Sequence, residues 1–242
     1  MPIGVIINTL SIIFGGVLGG LAGHKLTDSF KSQLNLIFGV CSMGMGISSI
    51  GLMTYMPAVI FAVVIGTAIG LALHLEEQIN KIGAFMQRGI SKVVPNNKTD
   101  LSEDEFLTTL LTVIVLFCAS GTGIYGSLDS GISGDSTILI SKSILDFFTA
   151  AIFACQLGYV VSLIAIPQFL IFSTLFFLAG AIVPLTSPEM IADFKACGGF
   201  LILATGFRIT GIKMFPIADM IPAMVLVMPL SWVWVALIMP ML

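Results

Sequence analysis

The chain has 242 residues, 57% of them hydrophobic and only 10% charged, less than half the usual share of Asp, Glu, Lys and Arg, so a soluble globular domain is excluded. A formal net charge of -3 leaves no basic stripe to follow phosphates, which excludes a nucleic-acid partner. Cys41, Cys118, Cys155 and Cys197 lie far apart in apolar segments without a Cys-x-x-Cys or clustered histidines. They read as small core residues, and no metal site or cofactor is expected.

Crossing a hydrocarbon layer of roughly 30 Å takes about 20 apolar residues. Division at charged and Pro/Gly-rich stretches predicts an all-α, polytopic membrane helix bundle of about eight spans, near 3–23, 33–53, 57–75, 106–126, 137–162, 165–184, 190–212 and 218–239. The first lacks the preceding Lys or Arg of a signal peptide and is read as a retained span, with His24 and, further on, His74 as interfacial residues. Between spans three and four, the segment EEQINKIGAFMQRGISKVVPNNK sets Ile79, Ile82, Met86, Ile90 and Val93 at three- to four-residue spacing among charges. That pattern predicts a helix lying on the membrane surface.

Span four is announced by Ser102 and Glu105 in capping-box spacing and contains Ser120-Gly121-Thr122-Gly123. Glycines weaken a helix there and hydroxyls can satisfy freed backbone groups, so an opened helix end facing a cavity or another helix is expected. Counting from Phe106 puts it about 21 Å from the inner end, in the outer half, with Leu128 to Asp135 as an external turn. Asp135-Ser136-Thr137 offers N-cap chemistry for span five. Ser187-Pro188 opens span seven, and Asp219 before Pro222 opens span eight.

The basic loops fall on one side: Lys25 and Lys31, then Lys81, Arg88, Lys92 and Lys98, then Lys213 with Arg208 just inside its span. The other side carries Asp129, Asp135 and Glu189, so both termini are expected outside the cytoplasm. The halves also share a pattern. Gly39, Gly46 and Gly51 match Gly199, Gly206 and Gly211; Met56-Pro57-Ala58 matches Ile221-Pro222-Ala223; and Phe14, Gly20 and Gly23 match Phe117, Gly123 and Gly126. Spans one, two and three would then correspond to four, seven and eight in inverted orientation, with five and six inserted. The chain would be one membrane domain: a first repeat over about 1–75, a cytoplasmic connector over about 76–105, and a second repeat over about 106–242. Inverted repeats recur in secondary transporters, although small residues also serve helix packing alone.

Charges within spans are costly and informative. Lys142 and Asp146 share a face of span five, Asp146 about 14 Å deep and Lys142 about 8 Å deep, within snorkelling reach of the outer surface. Asp146 is the leading candidate for a protonatable or cation-binding carboxylate, a structural Lys-Asp pair being the alternative. Arg208 either follows topology alone or faces a cavity and meets an anionic group or Asp146; Asp193 and Lys195 read as interfacial. No Gly-x-Ser-x-Gly or His-Glu-x-x-His occurs, and the Gly-x-Gly-x-x-Gly lookalike at Gly121 to Gly126 follows no strand. No catalytic residue and no enzyme activity are expected.

The stretches VIVLFCASGTGIYGSLDSGISGDSTILISKSILDFFTAAIFAC, ADFKACGGFLILATGFRITGIKMFP and GVIINTLSIIFGGVLGGLAG resemble the YqgA/YdfK-type bacterial membrane proteins, a family carrying domain of unknown function 554. The resemblance implies an inner-membrane protein of bacteria and supplies no substrate. From the residues, the expectation is a secondary transporter of a small solute or ion, proton or sodium included, in contact with the lipid bilayer and compatible with a homo-oligomer. Ser120, Gly121, Thr122, Gly123, Lys142, Asp146 and Arg208 would line its pathway. The alternatives are a cation channel fed by Asp129 and Asp135, and a non-transporting scaffold whose connector recruits a partner.

Overall fold

A computed structural model describes residues 1–22, 27–93, 103–181 and 183–241. His24, Lys25, Lys98 and Ser102, and with Ser102 the expected capping box, lie outside the described residues. The elements are α1 (Ile3–Ala22), α2 (Asp28–Ile50), α3 (Met56–Leu73), α4 (Leu75–Val93), α5 (Glu103–Cys118), α6 (Gly121–Ser133), α7 (Thr137–Leu157), α8 (Val160–Leu163), α9 (Ala165–Gly180), α10 (Pro188–Ile209) and α11 (Ile221–Val233). Among the described residues, eight segments are long and apolar enough to cross a membrane, in agreement with the eight expected.

Boundaries differ where glycine misleads. Span four does not turn outward after Gly126; it runs Thr109–Ser133, and the expected external turn shrinks to residues 134–136. Ser127 and Ser133 donate their hydroxyls to the carbonyls of Gly123 and Asp129, so these two side chains are satisfied within the helix. Gly131 brings α6 against α9, where a Cβ would stand 2.3 Å from the Phe176 oxygen. The helix stops at Gly134, whose φ of 75° suits a residue without a side chain. Span five likewise ends early, at Leu157, before Gly158 at φ 73°.

Helix starts follow the local chemistry. Ser187 accepts the Met190 N–H ahead of Pro188. At α7 the N-cap bond comes from Asp135, whose Oδ1 accepts the Thr137 N–H at 2.9 Å, while Ser136 makes no side-chain cap. The amphipathic segment after span three forms α4, entered through His74 in the left-handed region. Its Met86 and Ile90 pack against α5 while Phe85 faces outward.

Close pairing organises the bundle. Gly4, Gly15 and Gly19 of α1 lie against Ser136, Phe147 and Ala151, so α1 and α7 run parallel. Gly39 and Gly46 of α2 lie against Gly206 and Gly199 of α10, and Gly66 and Gly70 of α3 against Ala223 and Asp219, making both pairs antiparallel. These directions agree with successive crossings that leave both termini at one end. Large apolar side chains such as Phe61, Val64, Leu170 and Phe177 face outward, as a lipid-facing surface requires.

Asp193, expected near the membrane interface, is fully buried in α10 against the connection between α2 and α3. Its Oδ1 accepts the N–H groups of Thr54 and Tyr55, each at 2.8 Å, and its Oδ2 accepts the Ser231 hydroxyl at 2.7 Å. The carboxylate satisfies the bare donors ahead of α3 and draws stabilisation from that helix's dipole.

A Cβ on Gly46 would stand 2.6 Å from the Leu203 nitrogen and 2.7 Å from the Gly199 oxygen, whereas one on Gly44 meets nothing within 4 Å. Gly46→Ala is therefore expected to destabilise the bundle by about 1–3 kcal/mol through overpacking, with Gly44→Ala silent. SDS-driven unfolding in mixed micelles checks the difference.

Candidate functional site

α7 carries Lys142 and Asp146 one turn apart and turns both inward, 4% and 6% exposed. The ammonium lies 2.6 and 2.7 Å from the two carboxylate oxygens. Lys142 does not snorkel outward: the carboxylate draws it down, and its charge sits 5.8 Å from the centre of the Phe117 ring, a cation-π distance. Asp146 is held from α1 as well, where Asn8 donates to Oδ2 at 2.8 Å. Gln168 of α9 donates in turn to Asn8, and Thr9 to Gln168. Asn8 and Gln168 are fully buried, so three helices close a polar chain around one ion pair. Sequence reading missed both amides; the available signal was an uncharged polar residue inside each of two otherwise apolar spans.

Span four breaks beside this pair. α5 ends at Cys118 and α6 begins at Gly121, with Ser120 in extended backbone accepting the Gly123 N–H through its hydroxyl. The opened helix end is present, but near the middle of Thr109–Ser133 rather than in the outer half. Because the chain stays helical past Gly126 to Ser133, the break falls midway along the span.

Ser120, Thr122, Lys142 and Asp146 line a cavity of about 610 Å³. Gly123 instead packs against α9, where a Cβ would stand 2.1 Å from the Phe172 ring, and Gly121 is the first residue of α6. Ser42, Thr149 and Thr205 supply further polar wall, and Phe38, Leu145, Phe153 and Ile209 apolar wall. The other end of the cavity is formed by Glu76, Asn80, Arg208 and Met214. Arg208 does face the cavity, but it meets Glu76 at 2.8 Å and not Asp146, with a second bond to the Phe215 carbonyl. Glu76 was concealed among the connector charges. Its backbone N–H is bound by Asp219 at 3.0 Å, and its Oε2 is buried without a hydrogen-bond partner. A smaller cavity of about 240 Å³, between α4, α5 and α9, is lined by Ile82, Met86, Ile114 and Leu175 and carries no charged side chain.

The end of the bundle opposite Glu76 and Arg208 is fastened by a second ionic cluster. Asp129 is buried in α6, 3.3 Å from Lys195 of α10, and accepts the Ser133 hydroxyl at 2.9 Å. Asp129 is therefore a helix residue and no loop carboxylate, and Lys195 is its partner. Lys195 also lies 3.8 Å from the half-exposed Asp135. Hydrogen bonds from Thr137, with Lys195 adding to them, hold the Asp135 carboxyl below its ordinary value. Of the cysteines, Cys118 and Cys197 are buried, whereas Cys41 is exposed on α2 rather than in the core.

Lys142→Met leaves the Asp146 carboxylate buried without its cation and is expected to cost about 3–5 kcal/mol, most of it recovered in Lys142→Met/Asp146→Asn; chemical unfolding of the three proteins checks this. Asp135, depressed in the folded state, contributes stability fully above its unfolded value of about 3.9 and loses it as pH falls through the lower folded value. Asp135→Asn should therefore flatten the acid side of the stability-pH profile, read from thermal unfolding between neutral and acid pH.

Comparison with known proteins accords with this architecture. The Escherichia coli (strain K12) protein described as "Uncharacterized protein YqgA" is 45% identical over 236 residues, covering 98% of this chain and 99% of the relative. The Bacillus subtilis (strain 168) protein described as "Uncharacterized membrane protein YdfK" is 26% identical over 227 residues, covering 92% and 93%. No solved structure matches the chain. The family model described as "Protein of unknown function (DUF554)" matches residues 3–232, and this multi-pass membrane protein belongs to that family.

Proposed function

We propose that the protein is a small secondary transporter working by alternating access, with the Lys142-Asp146 pair at the blind end of its solute cavity. The observation that carries the proposal is the cavity of about 610 Å³ that holds this buried pair beside the break in span four. Broken helices beside buried charges are how transporter folds present backbone and hydroxyl groups to a solute within the membrane. The cavity extends toward Glu76 and Arg208, the end that carries Lys81, Arg88 and Lys213. By the distribution of basic residues this is the cytoplasmic end, so we read the conformation as inward-facing, with the Asp129-Lys195 cluster at the opposite end of the bundle.

An inverted repeat is supported by the contact between α2 and α10. The sequence match makes Gly39 equivalent to Gly199 and Gly46 equivalent to Gly206. Gly39 touches Gly206 and Gly46 touches Gly199, so the two contacts exchange under a two-fold axis between the helices, the signature of an isologous interface. Repeats related in this way can rock about such a seam. We read the cavity as a passage rather than an enzyme's active site. Its ionised side chains are paired with opposite charges, and among the described residues none of its hydroxyls is hydrogen-bonded to a base.

Reconstituted in liposomes, the protein should drive saturable, solute-dependent movement of protons or sodium, reduced at least tenfold by Asp146→Asn. Unchanged flux in that variant would remove Asp146 from the mechanism, and conductance without saturation would mark a channel instead.

A further inference from the structure

Resting on the transporter reading above, we infer that the solute is a small organic monoanion taken together with one proton, Lys142 exchanging the Asp146 carboxylate for the solute's anionic group. Lys142 is buried and the Asp146 carboxylate is its counterion at 2.6 Å. Adding an anion alone sets two negative groups on one ammonium; adding a proton alone strands that ammonium without a counterion. Each is unfavourable in a low-dielectric interior, whereas the two together leave the site's net charge unchanged.

In the exchange, a proton binds one oxygen of the Asp146 carboxylate, the Lys142-Asp146 ion pair opens, and the ammonium forms an ion pair with the incoming anion. No other bond is made or broken. Asn8 donates to Asp146 and serves the neutral acid as well as the carboxylate, so the side chain keeps its place. The opposite exchange, in which Lys142 gives up its proton and a cation joins Asp146, is opposed by three features. The Phe117 ring favours a charged Lys142, the Ser120 hydroxyl at the head of α6 can donate to an anion, and so can the Thr122 hydroxyl. Phe38, Leu145 and Phe153 suit an organic tail.

The titratable and charged groups facing the pair, among the described residues, are Cys118 of α5 and, along the cavity, Arg208 of α10 and Glu76 of α4. Neighbouring α1, α2, α6 and α9 present Asn8, Thr9, Ser42, Ser120, Thr122 and Gln168, none of which titrates near neutral pH.

The test is proton-linked binding. Purified protein in weakly buffered detergent is mixed with sodium pyruvate, benzoate or chloride, or with choline or leucine, and pH change is read with an indicator dye. A carboxylate should bind with uptake of about one proton per protein, its affinity falling about tenfold per pH unit where Asp146 is ionised. Lys142→Met should abolish the binding, and Asp146→Asn should retain it without proton uptake or pH dependence. The wild-type measurement stands by itself if a variant fails to fold. Proton release with choline, carboxylate binding without proton uptake, or no binding of either carboxylate overturns the inference. Counterflow of labelled pyruvate into proteoliposomes separates the two levels. Proton-linked binding without counterflow keeps this site and sinks the transporter reading, whereas saturable transport of choline keeps the transporter and sinks the anion.

Discussion

An ammonium and a carboxylate inside an apolar bundle are each prohibitive alone, and the packing around Lys142 and Asp146 is organised by that cost. The pair needs contact at 2.6 Å, a further donor for the carboxylate, and walls that exclude lipid. Asn8 and Gln168 provide the donor chain from two other helices. Supplying it requires α1 to lie close along α7, and the glycines of α1 permit that approach: Cβ atoms at Gly15 and Gly19 would stand 2.2 and 2.0 Å from carbonyl oxygens of α7. Glycine on one helix and charge on the other are thus parts of one arrangement.

The remaining buried carboxylates obey the same constraint by different means. Asp129 takes a cation, Lys195. Asp193 takes none and is met by two backbone N–H groups and a hydroxyl, and Asp219 accepts the N–H of Glu76. Where the hydrocarbon interior offers no water, helix ends must find donors and acceptors within the protein. These aspartates therefore join segments distant in sequence, Asp193 fastening α10 to α3 and α11, and Asp219 fastening the segment before α11 to α4. α10 carries Lys195 toward one end and Arg208 toward the other, which places it between the two ionic clusters and along one wall of the cavity.

Much of this was legible in the chain alone. Apolar length predicted eight crossings, the spacing of Ile79, Ile82, Met86 and Ile90 predicted α4, and two charges four residues apart in span five predicted a shared face for Lys142 and Asp146. The break at Ser120 followed from glycines and hydroxyls in an apolar run. These properties are local: helical period, hydrophobic length and the solvation cost of charge act over a few turns, so they are written in short windows of sequence.

Partners and depth were decided by the tertiary structure. Leu128 to Asp135 reads as an external turn because glycine and aspartate favour turns in isolation, yet packing against α9 and the partly buried Lys195 keep the chain helical to Ser133. Arg208 found Glu76 instead of Asp146, and Asn8 and Gln168 joined the ion pair although their own segments mark them only as uncharged polar residues and name no partner. The physical reason is that a buried charge is compensated through space, by whichever donor or counter-charge the packing brings within about 3 Å. For Asp146 that compensation comes from Lys142, one helical turn away, and from Asn8, 138 positions away, which only the folded bundle sets beside it.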